Sequence, residues 1–320
     1  MKKIINDKKL TFKCCRLYYE EQMTQQEICE KMGISRPTVS RMLKNGRLWG
    51  FVNIEMKNPD KNDYEELESS IEKKYGLKEV IVVSNHIVAW EEESNVKLGE
   101  ETLNYLSRIL KPRDIAGVSM GRTLFSVANT PNKPDYSINC TFIPIVGGLS
   151  ERQIEVHANY ITAMLAKKFQ GRCIQFFAPA VLSSKEIRNG LFREKAYQEI
   201  RQCYDHLKVI LVGVGAFNRG ATTLIRSGYM DQEELDDYIN QGAVGDISLQ
   251  LFDKSGDLEP FKSFNERVVG LPLARYKEVQ YRVCVVSDAN KLVALGGVLA
   301  GGFANVLIID EDCALGLLQS

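Results

Sequence analysis

The stretch TQQEICEKMGISRPTVSRML, residues 24–43, encodes two short helices, the turn between them and an outward face. Thr24 precedes a polar–apolar helix and stands three residues before Glu27, the spacing of a capping box. Gly33 tolerates the positive φ of a tight turn, and Cys29 supplies a small side chain where steeply crossed helices approach. Ser35 is placed to cap the second helix, with Pro37 in its first turn. Ile28, Met32, Ile34, Val39 and Met42 recur at helical spacing and predict a shared apolar core. That leaves Arg36, Pro37, Thr38, Ser40, Arg41 and Lys44 facing outward. In a helix-turn-helix these side chains reach base edges in a major groove. Arg36 and Arg41 suit guanine or phosphate, and Thr38 and Ser40 suit phosphate or base contacts. An ordinary helical hairpin would share the glycine turn, but not the basic face and apolar spacing as well.

Upstream, residues 10–21 place Leu10, Cys14, Leu17 and Tyr18 on one helical face. Downstream, FVNIE (residues 51–55) alternates and predicts a short wing strand. The polar run NPDKND, residues 58–63, marks a boundary. The division expected is a DNA-binding domain over 1–58 and an effector-binding and oligomerisation domain over 59–320. The formal net charge is zero, yet residues 1–57 hold roughly twelve Lys/Arg against about six Asp/Glu. A basic segment on a neutral chain is what phosphate contact requires. One such helix reads only a few base pairs, so a homodimer or homotetramer on operator DNA is expected.

A hydrophobic share of 44% and a charged share of 26% are those of an ordinary globular chain. No run of eighteen apolar residues predicts a membrane span, and the lysine-bearing N-terminus lacks the apolar segment of a signal peptide. The eight cysteines show no metal-ligand spacing, so no metal or cofactor is expected. Reduced thiols in a cytoplasm are the simplest account. Beyond a helix expected over 64–75, strand-like runs alternate with helical ones. The runs are EVIVV (79–83), IAGVS (115–119), FIPIV (142–146), LKVILVGV (207–214) and ANVLII (304–309). Long helical patterns cover 91–110 and 156–169. This alternation predicts an α/β fold, a mostly parallel Rossmann-like sheet covered on both faces.

These features, with GVSMGRTL (117–124), IPIVGGLS (143–150), FFAPAVLSS (176–184), LVGVG (211–215), LIRSGYM (224–230), GAVGDI (242–247), NERVVGLPL (265–273) and GGFANVLIIDE (301–311), resemble the SorC family of sugar-responsive bacterial transcription regulators. The match runs in order along nearly the whole chain. The resemblance implies a C-terminal domain similar to sugar-phosphate isomerases, deaminases and CoA transferases. It also implies a phosphorylated sugar or polyol as effector, bound at the carboxyl ends of sheet strands.

From the residues themselves, Gly121, Arg122 and Thr123 follow a strand and open a helix, where backbone N–H groups and side-chain donors suit an anion. The resemblance adds Gly147 and Gly148 beside the ligand, Asp246 on effector hydroxyls and Lys291 at the phosphate region. Two departures from the family stand out: Met120 where a tryptophan is usual, and Ser287-Asp288-Ala289 where glycines are usual. Val146 stands where some relatives carry Lys or Arg, and valine supports neither imine formation nor a second phosphate. VGVGAFNRG (212–220) has the wrong glycine spacing for a dinucleotide fingerprint, and His157 and Asn159 are expected to be packing or surface groups rather than catalytic ones. A competing reading is a sugar-phosphate isomerase or deaminase with a DNA-binding arm. Such an enzyme needs a paired acid and base, and only Asp246 offers itself; the expectation is no enzyme and no catalytic residue.

Overall fold

The computed structural model describes residues 7–52, 64–84, 91–134, 137–148, 154–217 and 222–319. The chain divides into two compact units, Met1–Asn62 and Asp63–Ser320. In the first, α1 (Lys8–Tyr19), α2 (Gln25–Met32) and α3 (Arg36–Leu48) surround one small core. Asp7 caps α1, accepting from the N–H groups of Lys9 and Leu10 at 2.9 and 3.1 Å. The Thr24–Glu27 capping box forms in both directions: Glu27 N–H donates to Thr24 Oγ1 at 3.3 Å and Thr24 N–H donates to Glu27 at 2.8 Å. Gly33 ends α2 at φ 65°, ψ 33°, a left-handed conformation that a side chain would strain. Cys14, Leu17, Ile28, Val39, Met42 and Leu43 are buried together. Each full-sized apolar side chain so buried contributes roughly 1.5–3 kcal/mol relative to exposure.

Two expectations change here. Ser35 stands at the start of α3, but its hydroxyl makes no cap to a backbone N–H; it bonds the Thr38 hydroxyl at 2.9 Å instead. Thr38 is therefore buried, at 9% exposure, and faces inward rather than toward DNA. The reason is geometric: two residues before Ser40 and one before Val39, it falls on the side of α3 that packs on the core. The wing strand expected over residues 51–55 lies outside the described residues from position 53 onward.

The larger unit is built on β1 (Glu79–Val83), β2 (Ile115–Val118), β3 (Thr141–Pro144), β4 (Arg172–Cys173), β5 (Leu207–Gly213), β9 (Tyr281–Val286) and β10 (Val306–Asp310). They form one sheet in the order β1-β10-β9-β5-β2-β3-β4, every pair parallel. A smaller antiparallel sheet holds β6 (Gly215–Ala216), β7 (Ala243–Ile247) and β8 (Gln250–Asp253). Helices α4 (Glu65–Tyr75), α5 (Glu91–Ile109), α6 (Arg122–Asn129), α7 (Ala158–Lys168), α8 (Lys185–Arg193) and α9 (Gln198–Asp205) precede β5. They are followed by α10 (Thr223–Arg226), α11 (Gln232–Asn240), α12 (Lys262–Asn265), α13 (Leu292–Ala300) and α14 (Glu311–Gln319).

The period-2 alternation of strand side chains sorts the core into two layers. Val209, Leu211, Val283, Val285, Val306 and Ile308 pack with Leu98, Leu106, Leu124, Val127, Ile161 and Leu165 of α5, α6 and α7. Their neighbours Ile210, Val212, Cys284, Val286, Leu307 and Ile309 pack on the other face with residues of α4, α9, α13 and α14. With both faces covered, the strands tolerate continuous apolar runs. A third cluster, including Leu224, Leu235, Leu251, Phe261 and Phe264, joins α10–α12 to the small sheet.

Candidate functional site

The order in which strands are added to the sheet reverses between β2 and β5. From β2 the chain moves outward through β3 and β4, then returns to β5 and continues the other way through β9 and β10. Ligands of open parallel sheets bind outside the carboxyl ends of strands at such a switch point. A cavity of about 200 Å³ lies there, lined by residues 120–124 after β2, residues 213–216 at the end of β5, and parts of α10, β7 and the turn before α13.

Gly121 stands at φ 126°, ψ 164°, a backbone that only glycine adopts easily. It turns the chain from β2 into α6. The N–H of Phe125 closes the first helical turn on Gly121 O at 2.9 Å. The N–H groups of Arg122, Thr123 and Leu124 are thus the open donors of the helix start. Arg122 and Thr123 line the cavity, and so do Thr222, Thr223 and Arg226 across it.

Asp246 is the penultimate residue of β7 and is buried, at 6% exposure. Leu249 N–H donates to its Oδ2 at 3.1 Å, while its Oδ1 is buried without a hydrogen-bond partner. Such an orphaned acceptor costs roughly 1–3 kcal/mol until something donates to it. Desolvation pushes the carboxyl up to about 6, against the opposing pull of the Leu249 N–H and the Lys291 ammonium. The space is shaped around this oxygen: a Cβ on Gly215 would lie 2.1 Å from Asp246 Oδ1. The β7–β8 turn adds Ser248 to the wall. Ser248 and Leu249 have φ of 50° and 67°, the two positive values of a type I′ hairpin turn made without glycine. Ser248 Oγ is held between Ser119 Oγ and Tyr276 Oη, each 2.7 Å away.

Lys291 sits in the turn before α13. Burial lowers its pKa first of all; Asp288 pulls upward and the Arg122 guanidinium pushes down. Among the described residues Arg122, Arg226 and Lys291 form no ion pair with a carboxylate. Asp288, also in the wall, has φ 91° and spends Oδ1 on the N–H and Nδ2 of Asn290 at 2.9 and 2.8 Å. The extra carboxylate therefore builds the turn that carries Lys291.

Of the residues anticipated from sequence, Gly121, Arg122, Thr123, Asp246 and Lys291 come together in this cavity, with Met120 and Asp288. Gly147 and Gly148 lie outside its lining. Gly147 N–H donates to Val269 O at 2.8 Å and Gly148 N–H to Ala178 O at 2.9 Å, so neither amide is available to an anion. Their small size serves packing: a Cβ at Gly148 would meet His157 Nδ1 at 2.6 Å. Val146 is buried in the third apolar cluster rather than on the wall. Asn159 bonds the Phe176 backbone in both directions, at 2.9 and 2.8 Å, a packing role as expected. Arg226, Thr222, Ser248 and the 213–216 segment escape sequence reading. Gly213 and Gly215, in the run whose spacing fails as a dinucleotide fingerprint, line the cavity, and Gly215 leaves room beside Asp246 Oδ1.

On the N-terminal unit, Arg36, Pro37, Ser40, Arg41 and Lys44 are exposed along α3. The arrangement defines a class: a helix-turn-helix unit joined to a metabolite-binding α/β domain. A family model described as "Putative sugar-binding domain" matches residues 60–319, and another, "Sigma-70, region 4", matches residues 13–48. The chain is 32% identical over 317 residues to the sorbitol operon regulator of Klebsiella pneumoniae, spanning 98% of this chain and 99% of that one. It is 29% identical over 310 residues to the deoxyribonucleoside regulator of Bacillus subtilis, with 97% of each chain covered. The full-length Klebsiella regulator's crystal structure is similar at a TM-score of 0.72 and 30% identity, covering 98% and 99% of the two chains. The chain belongs to the SorC family of sugar-binding bacterial transcriptional regulators. Its relatives are named regulators, not enzymes, and the isomerase or deaminase alternative falls with that finding. No helix among the described residues is long and apolar enough to cross a membrane.

Proposed function

We propose that this regulator binds operator DNA through Arg36, Pro37, Ser40, Arg41 and Lys44 of α3, and that a phosphorylated sugar or polyol in the β2/β5 cavity controls that binding. The observation that carries the reading is the pairing of opposite demands in one cavity. Arg122, Arg226, Lys291 and the open N–H groups of α6 call for an anion, and the orphaned Asp246 Oδ1 calls for a hydroxyl donor. A phosphate ester of a polyhydroxy compound meets both. An unphosphorylated sugar lacks the anion. Sequence-specific reading by so short a helix favours a homodimer or homotetramer, and the regulator works in the cytoplasm.

The test is a thermal-shift panel of hexose and hexitol phosphates beside their unphosphorylated parents. At least one phosphorylated member raises the melting temperature by several degrees and its parent does not. Lys291→Ala removes that shift and the ligand's effect on DNA binding, while DNA affinity without ligand stays at the wild-type value. A parent sugar that shifts the protein as strongly as its phosphate would overturn the phosphate assignment.

A further inference from the structure

The recognition helix is not the whole of the positive surface on the N-terminal unit. α1 opens with Lys8 and Lys9 and continues one turn later with Lys13, all three exposed. None of them has an ion pair among the described residues. Arg16, further along, is held by Glu21 at 3.5 Å.

Local physics opposes this placement. The first turn of a helix carries the partial positive charge of its open N–H groups and favours carboxylates. α2 follows the rule with Glu27, and α4 with Glu65, Glu66 and Glu68. α1 answers its open N–H groups with the single carboxylate of Asp7 at the N-cap, has no acidic residue in its first turn, and carries two lysines there instead. Sequences that break such a rule usually do so where function compensates.

The three lysines are also held in a fixed frame with α3. The two helices cross at Gly46, where an added Cβ would lie 2.1 Å from Cys15 Sγ. The Arg47 guanidinium of α3 acts electrostatically on the Cys15 thiol of α1. Phe12 of α1 packs edge-on against Phe51, just beyond α3, with centroids 5.8 Å apart. The helices that carry these positive groups, α1 and α3, are thus packed against each other in one body.

We infer that Lys8, Lys9 and Lys13 form a second DNA contact, holding backbone phosphates beside the groove that α3 reads. The inference rests on the assignment of α3 as the recognition helix. Contacts of this kind add affinity for any duplex and carry no sequence information. Each neutralised phosphate steepens the dependence of log affinity on log salt by about 0.9.

The experiment uses the full chain and two 30-base-pair duplexes: one selected from a random pool by the wild-type protein, and its scrambled counterpart. Affinity is measured by fluorescence anisotropy between 50 and 200 mM KCl. The K8Q/K9Q/K13Q variant is expected to bind both duplexes roughly tenfold or more weakly at 100 mM, with the salt slope reduced by about 2–3 and the ratio between duplexes unchanged. Its melting temperature is expected to equal or exceed the wild-type value, because the substitutions remove cations from a helix start. Arg41→Ala runs beside it and is expected to collapse the ratio between duplexes. A wild-type salt slope in the triple variant overturns the lysine contact. If Arg41→Ala still collapses the ratio in that case, the reading of α3 stands and only the α1 contact fails.

Discussion

Asp246 shows how one buried carboxyl ties the binding cavity to the stability of the domain around it. Its pKa rises from an ordinary 3.8 to about 6 on folding, chiefly through desolvation. Between about pH 4 and 6 the folded chain holds a proton that the unfolded chain has released. Stability at this group is therefore greatest in acid and is lost as pH rises through about 6, by about 3 kcal/mol in all. Urea unfolding at pH 4.5 and 7.5 should show about 2 kcal/mol of that loss in the wild type and not in Asp246→Asn; parallel pH profiles for the two proteins would refute it. Asp246 and Lys291 are legible in the sequence only through the family resemblance, which marks their positions. Arg226 and Ser248 are not legible, because only the folded chain brings α10 and the β7–β8 turn to the ends of β2 and β5. Thr38 misleads for the opposite reason: a hydroxyl in the first turn of a recognition helix looks like a contact, and its bond to Ser35 turns it inward.

Among the elements, the α1–α3 crossing is the tightest test of the N-terminal unit. An alanine at position 46 would place its methyl 2.1 Å from Cys15 Sγ. Cys15 is buried in one cluster with Cys14, Val39 and Met42. Gly46→Ala should destabilise that unit by roughly 1–3 kcal/mol, the usual cost of overpacking a small core. Circular dichroism melts would register it as a lower transition; an unchanged melt would mean that the helices simply move apart. The helix-turn-helix elements are legible because each has a local signal: a capping box, a left-handed glycine, a 3.6-residue period. The long apolar strand β5 is legible for the same reason. β9, with YRVCVV at the heart of the sheet, is passed over because a short apolar run without flanking glycines does not distinguish a strand from a buried helix. β4 and β6, two residues each, have no pattern of their own and exist only through their partners.

For the whole molecule, the consequence of two separate cores is thermodynamic. Units with independent apolar clusters should unfold in two steps, so calorimetry should resolve two transitions. An effector at 100 times its Kd adds about 2.7 kcal/mol to the domain that holds it. Only the transition of the larger unit should move upward, by roughly 5–10 °C; a matching shift in the smaller one would contradict independent unfolding. The parallel sheet bears on a different property, the order in which the chain can acquire its structure. β1 hydrogen-bonds to β10, pairing Glu79 with Val306 through Val83 with Asp310, and α4, at the start of the larger unit, packs on that edge. On a ribosome the DNA-reading unit is complete long before residues 306–310 are made. β1 spends most of synthesis with its ladder groups unpaired, an apolar strand awaiting a neighbour more than 220 residues downstream. The helix-turn-helix unit thus emerges whole before the sheet that frames the β2/β5 cavity is assembled.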